Sequence, residues 1–232
     1  MKEILTLYHG TYLKNASSII KDNYRIINNK NWMGRGAYFF YEDIFAFTWC
    51  VDLYKSEVSK SFDKKVFIRT MTILENRIEI ESERLLDLTY FKGQEVIDIA
   101  YKKLLTNKKY KVNLENAEPR EKMAIVIEFL FEKNGFKKNY DAIKQMYRLH
   151  TNNYINIFSN REKGIPQYQI CVKNNNIIKN ISIYKFDDKI ESYRTRWENM
   201  INDTTFHKIG EYDFEEYSYG DNNIKYCNKE EL

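Results

Sequence analysis

The chain has 232 residues, a length that suits one domain with room for an insertion or a tail. Its 43% hydrophobic and 16% aromatic content is enough to build a packed core, which excludes wholesale disorder, and 8 Gly with 2 Pro exclude collagen-like and low-complexity classes. The net charge of +4 is uneven: residues 211–232 hold seven acids and two bases, so the first 210 residues carry +9, a basic body able to meet phosphates beside an acidic tail able to shield it.

Twenty-seven Ile, 19 Tyr and 14 Phe favour strands filled with branched and aromatic side chains, interleaved with helices. Cys50, Cys171 and Cys227 are odd in number, lack metal or redox spacing, and read as buried or bystander thiols of a reducing cytosol. The first residues hold too short an apolar run for a signal peptide. No stretch approaches the ~20 apolar residues of a membrane helix. The expectation is a cytoplasmic protein that does not engage a membrane.

In chain order, Ile4–Tyr8 reads as a strand opening into His9-Gly10-Thr11, and Ala16, Ile19 and Ile20 predict a helix over Asn15–Lys21. Gly34-Arg35-Gly36 breaks the pattern before a second strand, Ala37–Phe40. A helix beginning at Glu42-Asp43 carries Phe45, Ala46, Trp49 and Leu53 on roughly one face. Val66–Leu74 reads as a third strand. From Phe91 to His150 the texture is helical, through Val96/Ala100/Leu104, Met123/Ile127/Leu130 and Ile143/Met146, with Pro119 and Gly135 bounding the middle helix. Strands return at Tyr168–Val172 and Ile181–Tyr184, and Ile190, Tyr193, Trp197 and Ile201 fit a late helix.

Four features carry chemistry. His9 at a strand can bond a ribose hydroxyl while Gly10 admits a ligand to the main chain, although a histidine capping a strand end has the same look. Gly34-Arg35-Gly36-Ala37-Tyr38-Phe39 offers a tight turn and an aromatic wall, or an ordinary turn and core aromatics. Ala46 and Trp49 could bring a second wall towards Tyr38, or belong to an amphipathic helix. Gln167 and Gln169 share one face of a strand, where they meet either a ligand or solvent.

In this order the features resemble the ADP-ribosyltransferase superfamily, in the clade of poly(ADP-ribose) polymerases and diphtheria-type toxins. Tyr8-His9-Gly10-Thr11 with Ala16 and Ile19 looks like its first motif. Gly34–Phe39 with Ala46 and Trp49 looks like its second, and Gln169–Asn174 with Ile178-Lys179 like its third, with Gln169 where that family carries Glu. The likeness covers about 45 N-terminal residues and about 15 near position 170.

The resemblance implies an α+β fold, a small split sheet of mostly antiparallel strands within residues 1–210; the helical insertion at about 91–150 and the acidic tail at 211–232 are read from spacing and charge and have no counterpart in that family. The resemblance also implies NAD as substrate, with His9 on a ribose hydroxyl, Gly10 main chain on the nicotinamide carboxamide, Thr11 beside them, and Tyr38 and Trp49 sandwiching the ring. Glycosidic cleavage passes through an oxocarbenium-like state that needs negative charge nearby. Gln169 bonds a hydroxyl but supplies no charge. The catalytic candidates are therefore Gln169, Tyr38 and Glu162 in the preceding loop. The implied activity is mono-ADP-ribosyl transfer onto a protein or nucleic-acid target, in a toxin or phage-defence setting with an antitoxin or regulatory partner. The competing reading is a module that kept nucleotide or partner binding and lost catalysis. A nucleic-acid binder using the basic body is a third, resting on composition alone.

Overall fold

The computed structural model describes residues 1–26, 32–59, 61–107, 114, 116–117, 119–133, 138–150 and 164–202. They form an α+β fold: a seven-stranded mixed sheet and six α-helices. Strands are β1 (Lys2–Tyr12), β2 (Ala37–Phe40), β3 (Met71–Glu81), β4 (Leu85–Asp87), β5 (Ala142–His150), β6 (Gly164–Val172) and β7 (Ile178–Tyr184). Helices are α1 (Leu13–Asp22), α2 (Asp43–Glu57), α3 (Lys64–Thr70), α4 (Phe91–Leu105), α5 (Pro119–Lys133) and α6 (Ile190–Asn202).

The strand order is β4-β5-β6-β2-β1-β3-β7, antiparallel throughout except for β4 with β5. β1 pairs with β3 along its whole length, from Lys2↔Glu81 to Tyr12↔Met71. Its pairing with β2 is a single position, Tyr8↔Phe40. The sheet is therefore two well-laddered halves, β4-β5-β6-β2 and β1-β3-β7, joined at one residue pair.

Alternation along the strands sorts the core into three clusters. On one face, α2, α3 and α6 cover the β1-β3-β7 half with Ile44, Phe45, Phe47, Phe67, Ile73, Tyr193 and Trp197. On the same face, α4 and α5 cover the other half with Ile97, Leu104, Ile127, Leu130, Ile143 and Cys171. The opposite face holds Leu7, Phe39, Leu74, Ile78, Ile170 and Val172, with Ala16 of α1 and Tyr24. Each of the large side chains buried here stabilises the fold by about 1.5–3 kcal/mol.

Three expectations from the sequence need correcting. Strand β1 runs through His9-Gly10-Thr11 instead of ending there. Residues 66–70 of the Val66–Leu74 run are helical, as part of α3, because Asp63 caps that helix by accepting the Lys65 and Val66 amides, and the strand starts only at Met71. The insertion is helical through α4 and α5, but Ile143 and Met146 lie on β5, which pairs with β6 from Ala142↔Val172 to His150↔Gly164. The span 91–150 thus ends inside the sheet. The acidic tail and Cys227 lie outside the described residues, while Cys50 and Cys171 are buried free thiols. No described helix is long and apolar enough to cross a membrane.

Candidate functional site

The site grows from the place where β1 and β2 part. β2 runs antiparallel to β1, so beyond Tyr8↔Phe40 the register sets Gly10 across from Tyr38. No ladder forms there. The β2-facing edge of β1 from His9 to Tyr12 is left without a strand partner among the described residues, and unsatisfied main-chain groups are strong ligands for anything that fits.

His9 lies at this opening, half-buried, with its ring edge-on to Tyr24 at 4.9 Å and tilted against Phe39 at 5.9 Å. Its Nδ1 is 2.8 Å from the Tyr38 carbonyl oxygen. A carbonyl only accepts, so the proton sits on Nδ1 and the neutral ring keeps a lone pair on Nε2. Burial lowers the His9 pKa below its ordinary 6.5, and the bond to Tyr38 offsets that only in part. Among the described residues Nε2 has no partner. His9 is a hydrogen-bond acceptor at the mouth of the split, fixed by the strand across it. Thr11, two residues on, is buried on the same face as His9.

Gly10 answers a packing demand from the other face. A Cβ there would lie 2.4 Å from the Ala46 carbonyl oxygen, 2.7 Å from Cys50 Sγ and 3.3 Å from Trp49 Cδ1. The missing side chain lets α2 settle onto β1 and brings Trp49 to the unpaired edge. Phe45 and Ala46 are buried, whereas Trp49 stands 45% exposed, so the one shared face expected for the three residues divides. An indole left half in water beside a strand edge is a wall without a covering layer.

Tyr38 is held from its own turn. Its hydroxyl donates to the Gly34 carbonyl at 2.7 Å and accepts from the Met33 amide at 3.1 Å. Gly34 takes φ +66°, a conformation that glycine adopts without strain. The turn is clamped from two sides: Glu128 of α5 accepts the Arg35 amide, and Lys173 Nζ donates to the Met33 and Arg35 carbonyls. Glu128 carried no signal in the sequence, and Lys173 was read only as part of the third motif, since each acts across more than 90 positions.

Gln169 sits opposite Phe40 on β2 and Gln145 on β5, with its side chain 5% exposed. The sequence reading of Gln167 and Gln169 as one face holds, and that face is buried, not solvated. The Gln169 carbonyl accepts the indole N–H of Trp32 at 3.3 Å. Trp32, which sequence reasoning passed over, packs against the cluster under α4 and α5. Glu162 lies outside the described residues. The structure thus brings His9, Gly10, the Tyr38 main chain and Trp49 to one opening, packs the Tyr38 ring against the cluster under α4 and α5, and sets Gln169 one strand further in.

No family model matches the chain, and no solved structure matches it. It is similar to an uncharacterized protein of Methanocaldococcus jannaschii, 27% identical over 205 residues that span 82% of this chain and 91% of the other.

Proposed function

We propose that this protein binds NAD in the split between β1 and β2 and transfers a single ADP-ribose from it, slowly, to a macromolecular acceptor. The observation that carries the reading is the parting of β1 and β2 after one residue pair, with His9, Gly10, the Tyr38 main chain and Trp49 all brought to the opening. The resemblance of these same residues to the ADP-ribosyltransferase motifs supports it.

The binding end fits a dinucleotide. A ribose hydroxyl can donate to the lone pair on His9 Nε2, a bond of about 0.5–1.5 kcal/mol. The unpaired β1 edge at Gly10 offers main-chain groups for a carboxamide. Trp49 supplies a flat apolar wall that excludes water, and the Tyr38 main chain fixes His9 across the opening. NAD itself supplies the activated glycosidic bond.

The chemical end is weaker. Heterolysis leaves positive charge on the ribose, and a nearby carboxylate stabilises it. By the resemblance, Gln169 takes the place of the family's acid, and it offers only a neutral amide. Its carbonyl is already engaged by Trp32, which leaves the amino group to orient a hydroxyl. Catalysis through Gln169 is therefore positional and slow, and chain elongation, which needs an activated acceptor hydroxyl, does not follow from this arrangement. The same observation favours a second reading, a module that binds nucleotide without chemistry.

Nicotinamide release from NAD, followed by chromatography, tests both. The transferase reading expects slow release that Gln169→Ala abolishes while NAD affinity stays within about twofold. If the wild type is inert and Gln169→Glu begins to release nicotinamide, the binding module is correct. Absence of NAD binding at millimolar concentration by calorimetry rejects both.

A further inference from the structure

Three glutamines line one face of the sheet between its two helical layers. Gln145 of β5 is directly opposite Gln169 of β6, and Gln167 lies two residues along β6 on the same face. A glutamine side chain carries two donors and a carbonyl acceptor, and buried amides in folded proteins are normally matched on both sides. Here they are not. Gln167 is 2% exposed, yet among the described residues its Oε1 has no hydrogen-bond partner, and the buried Oε1 of Gln145 has none there either. Among the described residues Gln169 is engaged through its Oε1, by Trp32, so its amino group remains to donate.

Core packing does not explain amides at these positions. The neighbouring row of the same face, Tyr38, Cys171 and Ile143, is packed into the apolar cluster under α4 and α5. Leu or Met at 145 and 167 would extend that cluster, whereas two unmade carbonyls cost more than they return unless something donates to them. We propose that Gln145, Gln167 and Gln169 form a binding site for the amino edge of a nucleobase, adenine or cytosine.

The chemistry selects that ligand. Two buried carbonyl oxygens at diagonal positions call for a group with two N–H donors, and diagonal neighbours on paired strands lie close enough to share one amino group. The donor left on Gln169 calls for an acceptor beside that amino group, which the ring nitrogen next to the exocyclic amine of adenine or cytosine provides. The ligand is neutral, because a glutamine carbonyl cannot compensate a cation at a position this buried. Trp32, held by its bond to Gln169, gives the ring an aromatic neighbour. Binding here does not require NAD in the split, but it takes the Gln169 amino group that the proposed transfer uses, so a filled site suppresses nicotinamide release.

Calorimetric titration of the full-length chain with adenosine, cytidine and uridine tests this. Adenosine or cytidine binds, and uridine, which has a carbonyl in place of the amine, binds at least tenfold more weakly. The volume-conserving variants Gln167→Met and Gln145→Met each lower the affinity tenfold or more, and the more exposed Gln145 keeps the test valid if Gln167→Met fails to fold. If the base belongs to the dinucleotide, NAD displaces adenosine. If it belongs to a separate nucleotide or strand, adenosine binds alongside saturating NAD. Equal binding of uridine and adenosine, or Met variants that bind as wild type while melting higher, overturns the proposal, and the orphan oxygens then hold ordered water only.

Discussion

At the scale of single residues, Gly10 and His9 give the sharpest tests. Gly10→Ala drives a Cβ into a backbone oxygen of α2, which cannot rotate away, so α2 must lift from β1. The expected cost is about 1–3 kcal/mol, read as a lower melting temperature, together with a change in the fluorescence of Trp49. An unchanged melting temperature would mean that α2 is not seated on this strand. For His9, Nε2 accepts only while the ring is neutral, and the lowered pKa keeps it neutral at pH 7. NAD affinity measured by calorimetry should therefore hold from pH 8 down past 6.5 and fall only at more acidic pH. A fall centred at or above 6.5 would contradict the assignment. The tripeptide His9-Gly10-Thr11 was visible in the sequence because chemistry concentrates there in three adjacent residues. Trp32, Glu128 and Gln145 were not, because each matters through a partner brought near by folding.

At the scale of elements, legibility followed periodicity and failed where polar residues broke it. Helix α1 was readable from Ala16 and Ile19, and it ends where Asn23 takes φ 66° and donates its amide back to Ile19. β5 was misread because Lys144, Gln145 and Arg148 interrupt the apolar alternation, leaving Ile143 and Met146 at a helical spacing. α3 was misread because β-branched Val66 and Ile68 suggested a strand, while the cap at Asp63 decided otherwise. The insertion does more than pack. Through Glu128, α5 grips the turn that sets Tyr38. Glu128→Ala should loosen that turn, raising hydrogen exchange at the Arg35 amide by tenfold or more and costing about 1–2 kcal/mol of stability. Unaltered protection at Arg35 would detach the insertion from the site.

At the scale of the whole molecule, two carboxylates, half-buried Asp43 and buried Asp141, fasten separate elements together. Asp43, at the start of α2, accepts from the Tyr184 hydroxyl at 2.5 Å, the Tyr193 hydroxyl at 3.0 Å and Arg196 at 2.8 Å, which fastens β7 and α6 to the helix that bears Trp49. Burial alone would raise its pKa, but these donors outweigh it and hold the carboxyl below its ordinary range. Asp141, just before β5, is held low first by its bond from Arg84 and then by Asn174, against burial, and its main-chain carbonyl receives the Lys173 and Asn174 amides. A carboxyl whose folded pKa lies below its unfolded value gives stability that is complete above that unfolded value, near 4, and is lost as pH falls through the folded one.

His9 acts with the same sign at a different pH. Its folded pKa is depressed, so below about 6.5 the unfolded chain takes up a proton that the folded chain refuses, and stability starts to fall there. Urea midpoints should therefore decline in two phases, a shallow one beginning near pH 6.5 and a steep one below about 4. His9→Ala should remove the first phase and leave the second. Asp43→Asn should cost about 1.5–3 kcal/mol at pH 7, the range for hydrogen bonds to a charged group, and shrink the acid phase while leaving the first intact. A single acid transition, the same in all three proteins, would show that neither group senses folding as the geometry requires. Two separable phases would tie the first to the opening between the sheet's halves and the second to the carboxylates at the start of α2 and just before β5.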